Sequence, residues 1–222
     1  MTRLSKLSRS IVGKVAIVTG AGDKAFSAGN DLKWQAEGNP AGRPDSGFAG
    51  LASRYTMQKP LIAAVNGLAM GGGFEVALAC DIIIAAENAF FALPEPRVGL
   101  AALAGGLHRL SRQIPMKQAM GMILTGRRVM AEEGYNLGFV TEVVQEGEAL
   151  AGALRWAEQI IECSPVSIRT SKDVVMRGDE YASVREAFEA DYQSVKDMQN
   201  SLDFIEGPLA FSEKRPPDWK GR

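Results

Sequence analysis

Leu61-Ile62-Ala63-Ala64-Val65-Asn66-Gly67, followed by Gly71-Gly72-Gly73-Phe74-Glu75, is the stretch whose reading decides the fold. Leu61 to Val65 is a short apolar run behind Lys59-Pro60, the pattern of a buried strand. Asn66-Gly67 marks a turn. The triple glycine then leads into a helix of small and apolar residues, expected from Phe74 to Cys80, and Asp81 to Ala86 reads as the next strand. Glycines at a helix start leave a main-chain N–H open to a ligand, and the helix dipole there favours negative charge. Three glycines alone are explained equally well by a tight turn or by close helix packing. Here they precede a helix bearing Glu75, and a second carboxylate follows in Leu93-Pro94-Glu95. That arrangement points to chemistry on a polarised oxygen.

Working outward, Phe26-Ser27-Ala28-Gly29-Asn30-Asp31-Leu32 repeats the device of small residues beside an open amide. Two such amides aimed at one point make an oxyanion hole. Val15 to Thr19 reads as a strand feeding the turn Gly20-Ala21-Gly22-Asp23, and Asn30 to Glu37 has helical character. The strand and Gly-x-Gly turn invite a dinucleotide reading, but Lys24, Ala25 and Phe26 stand where further glycines are needed. Tyr55 and Lys59 have the spacing of a dehydrogenase pair, yet lie too close to the first strand and are followed by Pro60. Gly38 to Gly50, with Arg43, Pro44 and Asp45, is a loop and the expected mobile element. Beyond Gly105 helices dominate, including an amphipathic one over Ala149 to Cys163 and a single long charged one over Ser183 to Gln199. The expectation is an α/β core followed by a helical C-terminal portion.

Composition narrows the function. Lys and Arg total 25 against 26 for Asp and Glu, so no charge bias draws the chain to nucleic acid or to an anionic membrane. No apolar run approaches the roughly 20 residues that cross a bilayer. Two cysteines, Cys80 and Cys163, build neither a disulfide framework nor a four-cysteine metal site. The one histidine, His108, has no adjacent carboxylate or cysteine and reads as a helix residue rather than a catalytic one. No metal is expected. Met1 to Lys14 carries Arg3, Lys6, Arg9 and Lys14 and no acidic residue; a frayed basic terminus and an organellar leader both fit.

From about Val15 to Arg222 the chain resembles the enoyl-CoA hydratase/isomerase, or crotonase, family. The segments that carry the resemblance are 25–33, 59–67, 71–75 and 91–95, with support from Leu124-Thr125-Gly126-Arg127 and the tail from Glu206 to Arg222. Phe74-Glu75 and the tail are most similar to carnitinyl-CoA dehydratase-like members. The resemblance implies an α/β, crotonase-like (ClpP/crotonase) spiral of ββα units with a helical C-terminal trimerisation region. In these terms residues 1–14 form an unmatched basic segment, 15–140 a spiral core and 141–222 the helical region. It further implies that the amides of Asn30 and Gly72 hold a thioester oxygen, that Glu75 activates water and that Glu95 exchanges the α-carbon proton. Ala28 would lie by the adenine of coenzyme A, with Asp31, Leu32, Gly71, Pro94 and Gly99 also against substrate.

Keeping both carboxylates favours hydration or dehydration over isomerisation. The family's usual first strand-helix-strand block has no counterpart here, so the core is expected to be truncated, and a catalytically incompetent subunit is the rival reading. Gly99 to Gly106 is less polar than the usual hydratase stretch and is expected to line the acyl pocket. The expected partners are an acyl-CoA thioester and further copies of the chain, as a homotrimer or hexamer. Coenzyme A comes with the substrate, so no separate cofactor is expected. The expected location is cytoplasmic, with mitochondrial and peroxisomal settings left open.

Overall fold

The computed structural model describes residues 14–39 and 44–222. Apart from Lys14, the basic N-terminal segment lies outside the described residues, as does the 40–43 part of the Gly38 to Gly50 loop. The chain separates into two compact units, one holding Ile17–Tyr55 and Leu61–Arg155 and the other Thr56–Pro60 and Trp156–Arg222.

The first unit is built by repetition. Strand β1 (Ala16–Thr19), strand β2 (Ala25–Ser27) and helix α1 (Leu32–Ala36) form one ββα turn; β3 (Leu61–Val65), β4 (Leu68–Met70) and α2 (Gly72–Leu78) form the next. The third comprises β5 (Ile82–Ala86), β6 (Phe90–Ala92) and α3 (Gly106–Gln113). After α4 (Met116–Thr125) come β7 (Val129–Met130), α5 (Ala131–Leu137) and β8 (Glu142–Val144). The first strand of each turn enters one sheet, ordered β1-β3-β5-β8, and the second strand enters another, ordered β2-β4-β6-β7. Neighbours β3/β5, β5/β8, β2/β4 and β4/β6 run parallel, whereas β6/β7 is antiparallel. This is the mixed α/β spiral expected from the sequence.

Local chemistry explains the elements. Every residue of β3 is buried, as befits a parallel strand covered on both faces. Asn66 ties two successive turns together: its Oδ1 accepts from Gly20 N–H at 3.1 Å and its Nδ2 donates to the Gly22 carbonyl at 2.8 Å. At the centre of the unit Phe74, Phe91 and Phe139 meet pairwise with ring centroids 5.1 to 5.2 Å apart. This cluster anchors α2 one residue before Glu75.

The second unit is helical. Helix α6 (Ala149–Ile161) runs into it, followed by α7 (Pro165–Gly178), α8 (Val184–Glu189), α9 (Gln193–Gln199) and α10 (Leu202–Glu213). Buried Asp203 accepts from Ser164 Oγ and from the main-chain N–H groups of Lys220 and Gly221, which fastens the tail to α10.

Two expectations need correction. The single helix over Ser183 to Gln199 is two, α8 and α9, parted where Ala190 and Tyr192 turn extended. The break lets Tyr192 bury its ring, donate its hydroxyl to the Ala187 carbonyl at 2.9 Å and lie beneath Arg177. Helix α2 starts at Gly72 rather than Phe74, because a bare glycine at 73 lets the helix begin directly against the end of β2. The second strand of each ββα turn was implied by the family resemblance and not by the residues themselves, because strands of two or three residues are too short to display a periodic pattern.

Phe91 is completely buried in the aromatic cluster. Phe91→Ala is expected to lower unfolding stability by about 3–5 kcal/mol; urea denaturation followed by tryptophan fluorescence measures this, and a loss under half of that range would show that the cluster collapses around the cavity.

Candidate active site

The adjacent strands β2, β4 and β6 end side by side, and the chain leaves each one through a segment bearing a candidate residue. Ser27 closes β2 and is followed by Ala28, Gly29 and Asn30; Met70 closes β4 and is followed by Gly71 and Gly72. Ala92 closes β6 and is followed by Leu93, Pro94 and Glu95. Ligands commonly bind beyond the carboxyl ends of parallel strands, where loops and helix starts converge. A cleft of about 590 Å³ opens here, lined among others by Ala28, Asn30, Leu32, Gly71, Gly72, Glu75, Pro94 and Glu95.

The backbones of the first two segments touch. A Cβ on Gly29, whose φ is +87°, would stand 2.9 Å from the Gly72 nitrogen; glycine keeps that amide open. Gly71, at the start of α2, also has positive φ and gives its own N–H to the Ala92 carbonyl at 2.9 Å. No side chain caps this helix end. The ring of Phe48 lies over Gly72, since a Cβ there would come within 2.7 Å of it. Amides at Asn30 and Gly72 thus flank one mouth, the second at the positive end of a helix.

The two carboxylates are held differently. Glu75 is 3% exposed, and its Oε1 accepts the Gly106 N–H at 2.9 Å, the first residue of α3. Glu95 is half-buried at the start of a 3-10 turn, Glu95–Val98, and its Oε2 is buried without a donor among the described residues. Burial pushes the Glu95 carboxyl above the ordinary carboxylate value; a main-chain hydrogen bond opposes this, and the nearby charge of Glu75 adds to it. Glu75 thus receives a main-chain amide, while Glu95 is biased toward holding a proton. Such a pair serves general base and general acid work across one water molecule.

Two expected substrate contacts fall outside the lining. Asp31 turns back to cap α1, accepting from the N–H groups of Lys33 and Trp34 at 3.1 Å each. Gly99 closes the 3-10 turn in a left-handed conformation, its N–H directed back to that turn. The stretch after it does line the cleft, through Leu100, Ala101, Leu103 and Ala104. Sequence reading missed Trp34, Gln35 and Phe48, because they sit on a short exposed helix and in an irregular loop with no pattern to betray them. It also missed the Gly106 amide, although a glycine pair ahead of a helix is the signature already read at Gly71. Arg97, two residues after Glu95, donates instead to the Thr125 carbonyl at 2.9 Å. His108 is exposed on α3, as expected.

A carboxyl whose folded pKa lies above its unfolded value adds stability at low pH and withdraws it as pH rises through the folded value. Glu95→Gln is therefore expected to raise the melting temperature, relative to the parent, more at neutral pH than at about pH 4. Equal shifts at the two pH values would show that Glu95 titrates as an ordinary surface carboxylate.

Comparison with known proteins identifies the family. The model of the enoyl-CoA hydratase/isomerase family matches residues 2–222. Carnitinyl-CoA dehydratase of Escherichia coli (strain K12) is 46% identical over 220 residues, covering 94% of this chain and 82% of that protein. The crystal structure of enoyl-CoA hydratase from Mycobacterium tuberculosis H37Rv superposes with a TM-score of 0.87 at 38% identity, covering 96% of this chain and 83% of the other. That of carnitinyl-CoA hydratase from Mycobacterium avium gives 0.70 at 42% identity, covering 94% and 81%. The chain belongs to the enoyl-CoA hydratase/isomerase family.

Proposed function

We propose that the chain is a lyase that adds or removes water across the 2,3 bond of an acyl-CoA thioester. The observation that carries this reading is the convergence of Glu75, Glu95 and the Gly72 amide on one cleft at the ends of β4 and β6. The thioester oxygen lies between the N–H groups of Asn30 and Gly72. As water attacks the β-carbon, the negative charge of the enolate develops on that oxygen; each amide donor contributes about 10²–10³ in rate. Glu75, steadied by Gly106, takes the proton of the attacking water. Glu95 delivers a proton to the α-carbon, and dehydration reverses both transfers. The enolate charge rests on amides, so the route requires neither a metal nor a separate cofactor.

The names of the relatives extend the proposal to the acyl group. Two of them act on carnitinyl-CoA by name, and this chain aligns with one at 46% identity. A carnitinyl-type acyl group, with its cationic end, is the first candidate, and a short plain enoyl group the second. The apolar wall of Leu100, Ala101, Leu103 and Ala104 favours the second. Isomerisation is less well supported, since it has no use for a carboxylate pair that shares a water.

A homotrimer or a dimer of trimers is part of the same proposal. It is supported by Val184, Phe188 and Phe211, whose side chains are 87–88% exposed. A cytoplasmic location is proposed as well, from the use of only two cysteines.

Incubation with crotonyl-CoA and with crotonobetainyl-CoA, following the conjugated thioester chromophore, tests the activity. The parent is expected to consume at least one of them, and folded Glu95→Gln to lose about 10²–10⁴ in turnover. Near-normal turnover by that variant would remove Glu95 from the mechanism. Light scattering should report a trimer or hexamer at micromolar concentration; a well-folded monomer would count against the assembly.

A further inference from the structure

Arg109 lies in the first turn of α3 and folds back over the start of its own helix. A Cβ on Gly105 would stand 2.1 Å from Nη1, so the guanidinium sits directly on that glycine. Nη2 donates to the Ala52 carbonyl at 2.8 Å, and the Cζ atom stands 5.9 Å from the Tyr55 ring centroid. Nη1 is buried and meets no acceptor among the described residues.

Local energetics do not recommend this placement. A positive charge at the amino end of a helix is opposed by the dipole, and a buried donor without an acceptor loses its hydration. Such breaches of local rules concentrate at functional sites. What the guanidinium joins supplies the reason. On one side is the Gly105-Gly106 step, whose second N–H holds Glu75 at 2.9 Å. On the other is the segment from Phe48 to Ala52, which closes on itself through the Ala52 N–H to the Phe48 carbonyl and lays the Phe48 ring over Gly72.

We infer that Arg109 is a positioning residue that fixes the Glu75 carboxylate and the wall over the Gly72 amide as one unit. Through Ala52 it locks the Phe48 segment to the start of α3; through its seat on Gly105 it sets the direction of the Gly106 N–H. Arg109 is not among the residues that line the cleft. Its kinetic consequence rests on the hydratase reading above, while its structural consequence does not.

The test uses Arg109→Lys and Arg109→Met in the full chain, with two readouts. Hydrogen exchange is expected to quicken together in peptides covering Gly106 and Phe48 to Ala52, more in Met than in Lys, because an ammonium cannot hold both ends of the planar fork. Turnover of whichever enoyl thioester the parent accepts is expected to fall about 10–100-fold in kcat, with KM moving far less, since misplacing a reacting group by about 1 Å costs rate on that scale. Added guanidinium ion should restore part of the kcat of Arg109→Ala, which a purely structural loss would not allow. Unchanged exchange in both segments, exchange that quickens in only one, or a loss confined to KM would overturn the inference. If the parent turns over no enoyl thioester, the proposed function fails, and the exchange of the two segments alone decides the role of Arg109. If Arg109→Met does not fold, Arg109→Lys carries both measurements.

Discussion

Contact between main chains, with no side chain interposed, is the constraint on which the rest of the first unit depends. A Cβ at Gly73 would fall 2.2 Å from the Ser27 carbonyl oxygen, and one at Gly67 would fall 2.4 Å from the Lys24 carbonyl oxygen. Helix α2 therefore begins on the backbone of β2, and successive turns of the spiral stack at glycine distance. From that closeness follows the alignment of the ends of β2, β4 and β6, and with it the meeting of Asn30, Gly72 and Glu95. A methyl group at position 73 would separate the layers before any functional side chain was touched.

The site combines this rigidity with an electrostatic imbalance. Glu75 is buried and receives an amide from a different helix; Glu95 is half-buried, with no donor to its Oε2 among the described residues. Two carboxylates of ordinary composition are thereby made unlike by surroundings alone. The aromatic cluster of Phe74, Phe91 and Phe139 underwrites the difference, because it holds α2 and β6 in fixed relation while Glu75, within α2, and Glu95, after β6, both line the cleft.

Much of this was legible in the sequence, and the reasons differ from element to element. Leu61 to Val65 announced a buried strand because every position is apolar, and Gly71 to Glu75 announced a helix start because glycine and a first-turn carboxylate each have a local cause. Glu95 was legible by its place after those residues and by the family resemblance of the segment from Phe91 to Glu95. The hydrogen bond from Gly106 to Glu75 joins positions 31 residues apart and leaves no local trace. Trp34 and Gln35 escaped notice because α1 has no buried residue and hence no periodic apolar face. The joint between α8 and α9 was hidden by charge: Glu189 and Asp191 read as continued helix, while the burial of Tyr192, a tertiary event, ends it.

The repeated ββα turn has a consequence for how such a site diversifies. Each turn of the spiral supplies one ingredient: the first brings Asn30, the second Gly72 with Glu75, and the third Glu95. Glu95 stands on a short 3-10 turn closed by Gly99, outside any long helix or central strand. On the proposed reading Asn30, Gly72 and Glu75 belong to turns held by the glycine contacts, whereas Glu95 alone sits on its own 3-10 turn. A lineage that keeps those contacts retains the first three groups, and can change the fourth by editing a single turn.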